Sequence, residues 1–143
     1  MSFVRLPALA GVALAIATGT ALPVCAETQT FKAVLKGEDE VPPNPGYATG
    51  AGEFSYDTTT RKLTYKVTHS GLSGLATAAH IHGPAEPGKN AGVAIAFEKP
   101  VSPIEGSATL TEAQAADLVA GKLYVNVHTQ ANKDGEIRGQ ITN

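Results

Sequence analysis

Two histidines stand one residue apart in "AAHIHGPAEPG", residues 78–88, and a third lies near the end of "LYVNVHT" at His128. Imidazole nitrogens ligate copper and zinc, and three neutral ones with an open position make a competent metal site. The H-x-H spacing is the shortest that sets two rings on one side of an extended chain. On a strand, His80 and His82 share a face opposite Ile81. His128 shares its face with Tyr124 and Asn126, opposite Val125 and Val127. If the two strands are neighbours, Cβ atoms about 4.5–5.5 Å apart can bring all three rings to one ion. His80, His82 and His128 are therefore the candidate metal ligands, with copper the first choice of ion and zinc the second. The competing reading is structural: polar rings on the outer face of a sheet, bonding loop backbone around Gly83.

Other polar residues carry less. His69 ends the Leu63-Tyr65-Val67 face, where a partly buried, satisfied histidine is expected and a fourth metal ligand is the alternative. Glu38, Asp39 and Glu40 precede a proline-rich stretch and read as a solvated loop, since a calcium site wants more oxygen ligands. Glu136 and Arg138 share a strand face and are expected to pair structurally, with covering the metal region as the alternative; Arg138 is also the one suggestive cationic guide for a metal site. There is no G-x-S-x-G elbow and no evident pair of catalytic carboxylates. No catalytic residue is assigned, and whether the chain is an enzyme stays open.

The elements that would position these side chains are mostly of period two, with turn residues at short intervals, the mark of antiparallel β structure. "TFKAVLKG", "AGEFSYD", "KLTYKVTH", "AHIHG", "VAIAFEK", "EGSATL", "LYVNVHT" and "EIRGQIT" read as about eight strands. "LTEAQAADLVAG" reads as one short helix near residues 111–120, with Thr111 and Gln114 forming a capping box and Gly121 the C-terminal stop. Ile81, Val125, Val127, Leu63 and Val67 are expected in the core, joined by Tyr65. The fold class is all-β, a sandwich or barrel.

Residues 1–26 have a different character. Arg5 precedes an apolar run from Leu6 to Leu22, and Val24-Cys25-Ala26 places small residues where a signal peptidase cuts. This reads as a signal peptide, 1–26, ahead of one domain, 27–143, in the periplasm or secreted. Pro7, Gly11, Gly19 and Pro23 interrupt the run and no basic flank follows it, which argues against a membrane span. The sole cysteine, Cys25, lies in this leader, so the domain has neither disulfide nor thiolate ligand. It holds 10 basic and 13 acidic residues, a formal charge of −3. With no basic run, nucleic acid is not an expected partner.

Three segments, "LKGEDEVPP", "TAAHIHGPAEPG" and "GKLYVNVHT…GEIRGQI", together resemble the CHRD family, the domain first described in chordin and widespread in secreted bacterial proteins. The resemblance spans essentially all of residues 27–143. It implies an antiparallel, Greek-key, immunoglobulin-like β-sandwich or barrel, and an extracellular protein as possible partner. "AAHIHG" is also similar to the H-x-H strand of copper-zinc superoxide dismutase. On that likeness His80 and His82 match copper ligands, and His128 only by its place on a late strand. The chain departs from that enzyme in lacking disulfide cysteines and a zinc-binding loop. Two functions stay in view: copper or zinc handling, with a possible redox role, and a non-catalytic interaction module.

Overall fold

The structure, a computed structural model, describes residues 27–143. The expected signal peptide lies outside the described residues. Eight strands form one antiparallel sheet: β1 (Thr28–Lys36), β2 (Thr49–Asp57), β3 (Lys62–Ser70), β4 (Ala76–His82), β5 (Val93–Ala96), β6 (Ile104–Thr109), β7 (Tyr124–Thr129) and β8 (Ile137–Gln140). Their order is β5-β4-β7-β8-β1-β2-β3-β6. Four consecutive pairs are direct neighbours, β1–β2, β2–β3, β4–β5 and β7–β8. The remaining links cross to non-adjacent strands, which gives the Greek-key character. The sheet curls until the segment after β5 meets β3, where the Tyr65 and Phe97 ring centroids lie 4.6 Å apart.

Alternation decides the inside. Phe31, Leu35, Phe54, Leu63, Tyr65, Val67, Ile81, Val125, Val127 and Ile137 all enter one core, as their strand parity requires. The helix α1 (Glu112–Val119) adds Ala115 and Leu118 to that core. It starts where the sequence places it. Thr111 Oγ1 accepts from Gln114 N at 3.2 Å, and Gln114 Oε1 accepts from Thr111 N at 2.9 Å. Gly121, just past the helix, has φ 70, the left-handed stop that an L side chain would strain. Asp57 starts the β2–β3 turn by accepting from Thr59 N at 2.8 Å and Thr60 N at 2.9 Å.

The outer face of β7 departs from the simple pattern. All six of its residues are buried, those pointing away from the core included. Two long connections, 37–48 and 83–92, and the β7–β8 loop fold over that face. Tyr124, Asn126 and His128 thus sit between the sheet and a layer of loops, a setting in which every polar atom needs a partner.

Candidate metal centre

β4 and β7 are hydrogen-bonded neighbours, with Ala78 opposite His128, His80 opposite Asn126 and His82 opposite Tyr124. His80 and His82 are therefore diagonal to their partners on β7, and the rings converge. His80, His82 and His128 each offer a ring nitrogen within 4.8 Å of the others. Nδ1 of His80 lies 3.1 Å from Nε2 of His128. Two nitrogens bound at about 2.0–2.1 Å to one tetrahedral ion would stand about 3.3–3.4 Å apart, so this edge is nearly the right length already.

Hydrogen bonds on the far side of the rings fix which nitrogen faces inward. Nδ1 of His82 is 3.1 Å from the Ala91 carbonyl, and Nδ1 of His128 is 2.9 Å from the Lys133 carbonyl. A carbonyl only accepts, so both Nδ1 atoms carry the proton and both Nε2 atoms keep a lone pair. Nε2 of His82 is buried and has no hydrogen-bond partner. All three imidazoles are held below the ordinary value of 6.5. Burial is the main cause at each. At His80 the neighbouring His128 adds to it, and at His82 and His128 the bonds to Ala91 and Lys133 oppose it. The neutral rings of His82 and His128 thus aim Nε2 lone pairs inward, as a metal ion requires.

A second layer holds these partners. The His82 ring stacks on Tyr124 at 5.1 Å and 6°. The Arg138 guanidinium lies over the other residue of that stack, 4.1 Å from the Tyr124 centroid. Tyr124 Oη accepts from Ala91 N at 3.0 Å, so one tyrosine fixes the loop that fixes His82. Arg138 donates to the Lys89 carbonyl at 3.1 Å and to Asn90 Oδ1 at 2.6 Å. Its Nε forms an ion pair with Glu40 Oε2 at 3.3 Å. Asn126 Nδ2 donates to both Glu40 oxygens at 3.1 Å. Gly135, at φ 135, presses against this pair: a Cβ there would lie 2.5 Å from Asn126 Oδ1 and Glu40 Oε1.

Three expectations need correction. Glu40 is not in a solvated loop. It is 4% exposed, while Glu38 and Asp39 are exposed as read. Burial pushes its carboxyl up to about 6, against the lowering effect of Arg138 and Asn126. Arg138 does not pair with Glu136. It is 4% exposed and committed to Glu40, so it is a buried strut and no surface guide for anions. Glu136 accepts from Ser73 N, Ser73 Oγ and Thr129 Oγ1, each at 2.6 Å, and from Asn132 Nδ2 at 3.0 Å. Burial opposes those donors, yet its carboxyl is held below its ordinary value. His69 behaves as read: its Nε2 is 2.8 Å from the Pro100 carbonyl, apart from the triad.

Sequence reasoning missed Glu40, Asn126 and Tyr124. The parity of Tyr124 and Asn126 with His128 was the available signal; their burial under loops was not. A hollow of about 750 Å³ lies elsewhere, among Lys32, Glu53, Lys66 and Glu105 on the outside of β1, β2, β3 and β6. It is lined by charges of both signs and contains no member of the triad.

A profile of the CHRD domain matches residues 31–141, so the chain belongs to the CHRD family. No curated protein and no solved structure matches it. Among the described residues no helix is long and apolar enough to cross a membrane.

Proposed function

We propose that this CHRD-domain protein works in the periplasm or outside the cell as a metal-binding module, taking copper first and zinc second on His80, His82 and His128. The observation that carries this reading is the buried, unpartnered Nε2 of His82, which points a lone pair toward the other two rings. An orphaned buried acceptor costs stability unless something binds it. The outer bonds to Ala91 and Lys133 preset two of three tautomers, the arrangement that orients ligand histidines in metal proteins. Metal storage or transfer needs no more than this. The test is metal analysis of protein produced in the periplasm, followed by copper titration. One equivalent should bind, and the His80→Ala/His82→Ala variant should bind none at that site. Less than one equivalent, or equal binding by the variant, would sink the reading.

A second reading has its own support. Tyr47 is 98% exposed and Leu75 90% exposed, on the β1–β2 and β3–β4 connections. Gly71 packs against the backbone of Tyr47 and Ala48, so these loops adjoin. Bare apolar side chains on loops suit contact with another extracellular protein. A Tyr47→Ser/Leu75→Ser variant that loses a partner while keeping its metal would favour this reading for the loops alone.

A further inference from the structure

Resting on the metal reading, we infer that the triad selects univalent copper, Cu(I), over divalent Cu(II) or Zn(II). The ligand set is three neutral imidazoles, and among the described residues no carboxylate or thiolate joins it. The bound ion would keep its whole charge. The outer nitrogens of His82 and His128 meet backbone carbonyls, where a carboxylate would have lent negative charge. Arg138 places a cation one aromatic ring away, over the Tyr124 that stacks on His82. Its counter-ion Glu40 is already spent on Arg138 and Asn126. Asp134 acts on His128 from an exposed position, where water screens it.

The setting is also partly dry, with His80 and His82 half-buried. His128 is 8% exposed, and Nε2 of His82 is buried. The cost of moving an ion out of water grows as the square of its charge, so a divalent ion pays about four times what a univalent one pays. Neutral ligands repay neither ion with opposite charge. Coordination number points the same way. Cu(II) seeks tetragonal surroundings and Zn(II) a fourth ligand, whereas three imidazoles can satisfy Cu(I) without another donor.

The test is competition on the intact domain. Acetonitrile-complexed Cu(I) is titrated without oxygen against a chromophoric Cu(I) chelator, and Zn(II) and Cu(II) salts are titrated separately. Cu(I) should bind tighter than Zn(II) by about 100-fold, the size of effect that the surroundings of a metal site exert. Equal or tighter Zn(II) or Cu(II) would overturn the selectivity and leave the metal site standing. No binding of any of the three would overturn both. A second variant tests the cause. Ala78 lies half-buried directly opposite His128, so Ala78→Asp adds a carboxylate at the site. The ratio of Cu(I) to Zn(II) affinity should fall by about tenfold or more; an unchanged ratio would overturn the charge argument.

Discussion

His80 Nδ1 stands 3.1 Å from His128 Nε2, although 48 residues separate the two in sequence. Because His128 gives its proton to the Lys133 carbonyl, His80 is the donor in this pair. A metal ion needs the nitrogen that now carries that proton. Binding must therefore move the His80 proton to its other nitrogen, while His82 and His128 keep theirs. Nitrogen-15 spectra of the imidazoles should show one tautomer change of three upon adding Zn(II), a diamagnetic probe. Three changes, or none at His80, would contradict the assigned geometry.

Removing ligands should separate the triad from the fourth histidine. His128→Ala should weaken metal affinity by about 100-fold or more, since it loses a direct ligand where even outer partners cost 10–100-fold. His69→Ala should leave affinity unchanged, because its ring is bonded to Pro100. Competition titrations of the two variants side by side give the comparison.

Acid should release the metal, but only below the pH of a free imidazole. Burial holds all three imidazoles below 6.5 in the folded state, so proton competition sets in at lower pH than for a free imidazole. Affinity should fall most steeply below pH 6.5, where up to three protons compete with the ion. Fold stability moves in the same direction. Between 6.5 and the lowered values the unfolded chain holds more protons, so stability drops as pH falls through this window. Glu40 acts oppositely: its carboxyl, raised to about 6, takes up its proton first in the folded state, which favours the fold as pH falls toward 4.5. Apparent affinity in a series of buffers tests the first claim; a steep loss already above pH 6.5 would refute it.

Strand parity was legible because alternation is local. Ile81, Val125 and Val127 face the core and the three histidines face away, as period two dictates. The helix was legible from Thr111 and Gln114 for the same reason. What parity could not show was that the outward face is covered. The cover comes from residues distant in sequence: Glu40 reaches Asn126, 86 positions away, and Arg138 reaches Lys89, 49 positions away. An acid before "VPP" looks like any surface acid until the chain folds back on β7 and β8. Glu136 and Arg138 misled in a related way. Their shared parity suggested a pair, but each met a stronger partner from another loop.

The core assignment has a direct test. Val127 is fully buried between β4 and β8. Val127→Asp would bury a charge without a partner, a cost comparable to the whole stability of a domain, about 5–15 kcal/mol. The variant should show no cooperative thermal transition. A wild-type-like melt would mean that the two faces of β7 are exchanged.

Two acids that both form ion pairs should differ sharply in what their loss costs. Glu105 pairs with Lys66 at 3.1 Å, with side chains 59% and 53% exposed. Water screens that pair, so Glu105→Ala should change stability by less than about 1 kcal/mol. Glu40 is buried and answers the charge of Arg138. Glu40→Ala leaves that guanidinium uncompensated and should cost about 3–5 kcal/mol. The cost belongs to the stranded charge more than to the pair itself, since burial already strains Glu40 enough to raise its pKa. Replacing both partners, Glu40→Met with Arg138→Met, should therefore recover much of the loss. Urea unfolding of the three variants supplies the measurement. A Glu40→Ala midpoint equal to that of Glu105→Ala would show that the buried pair does not hold the loops over β7.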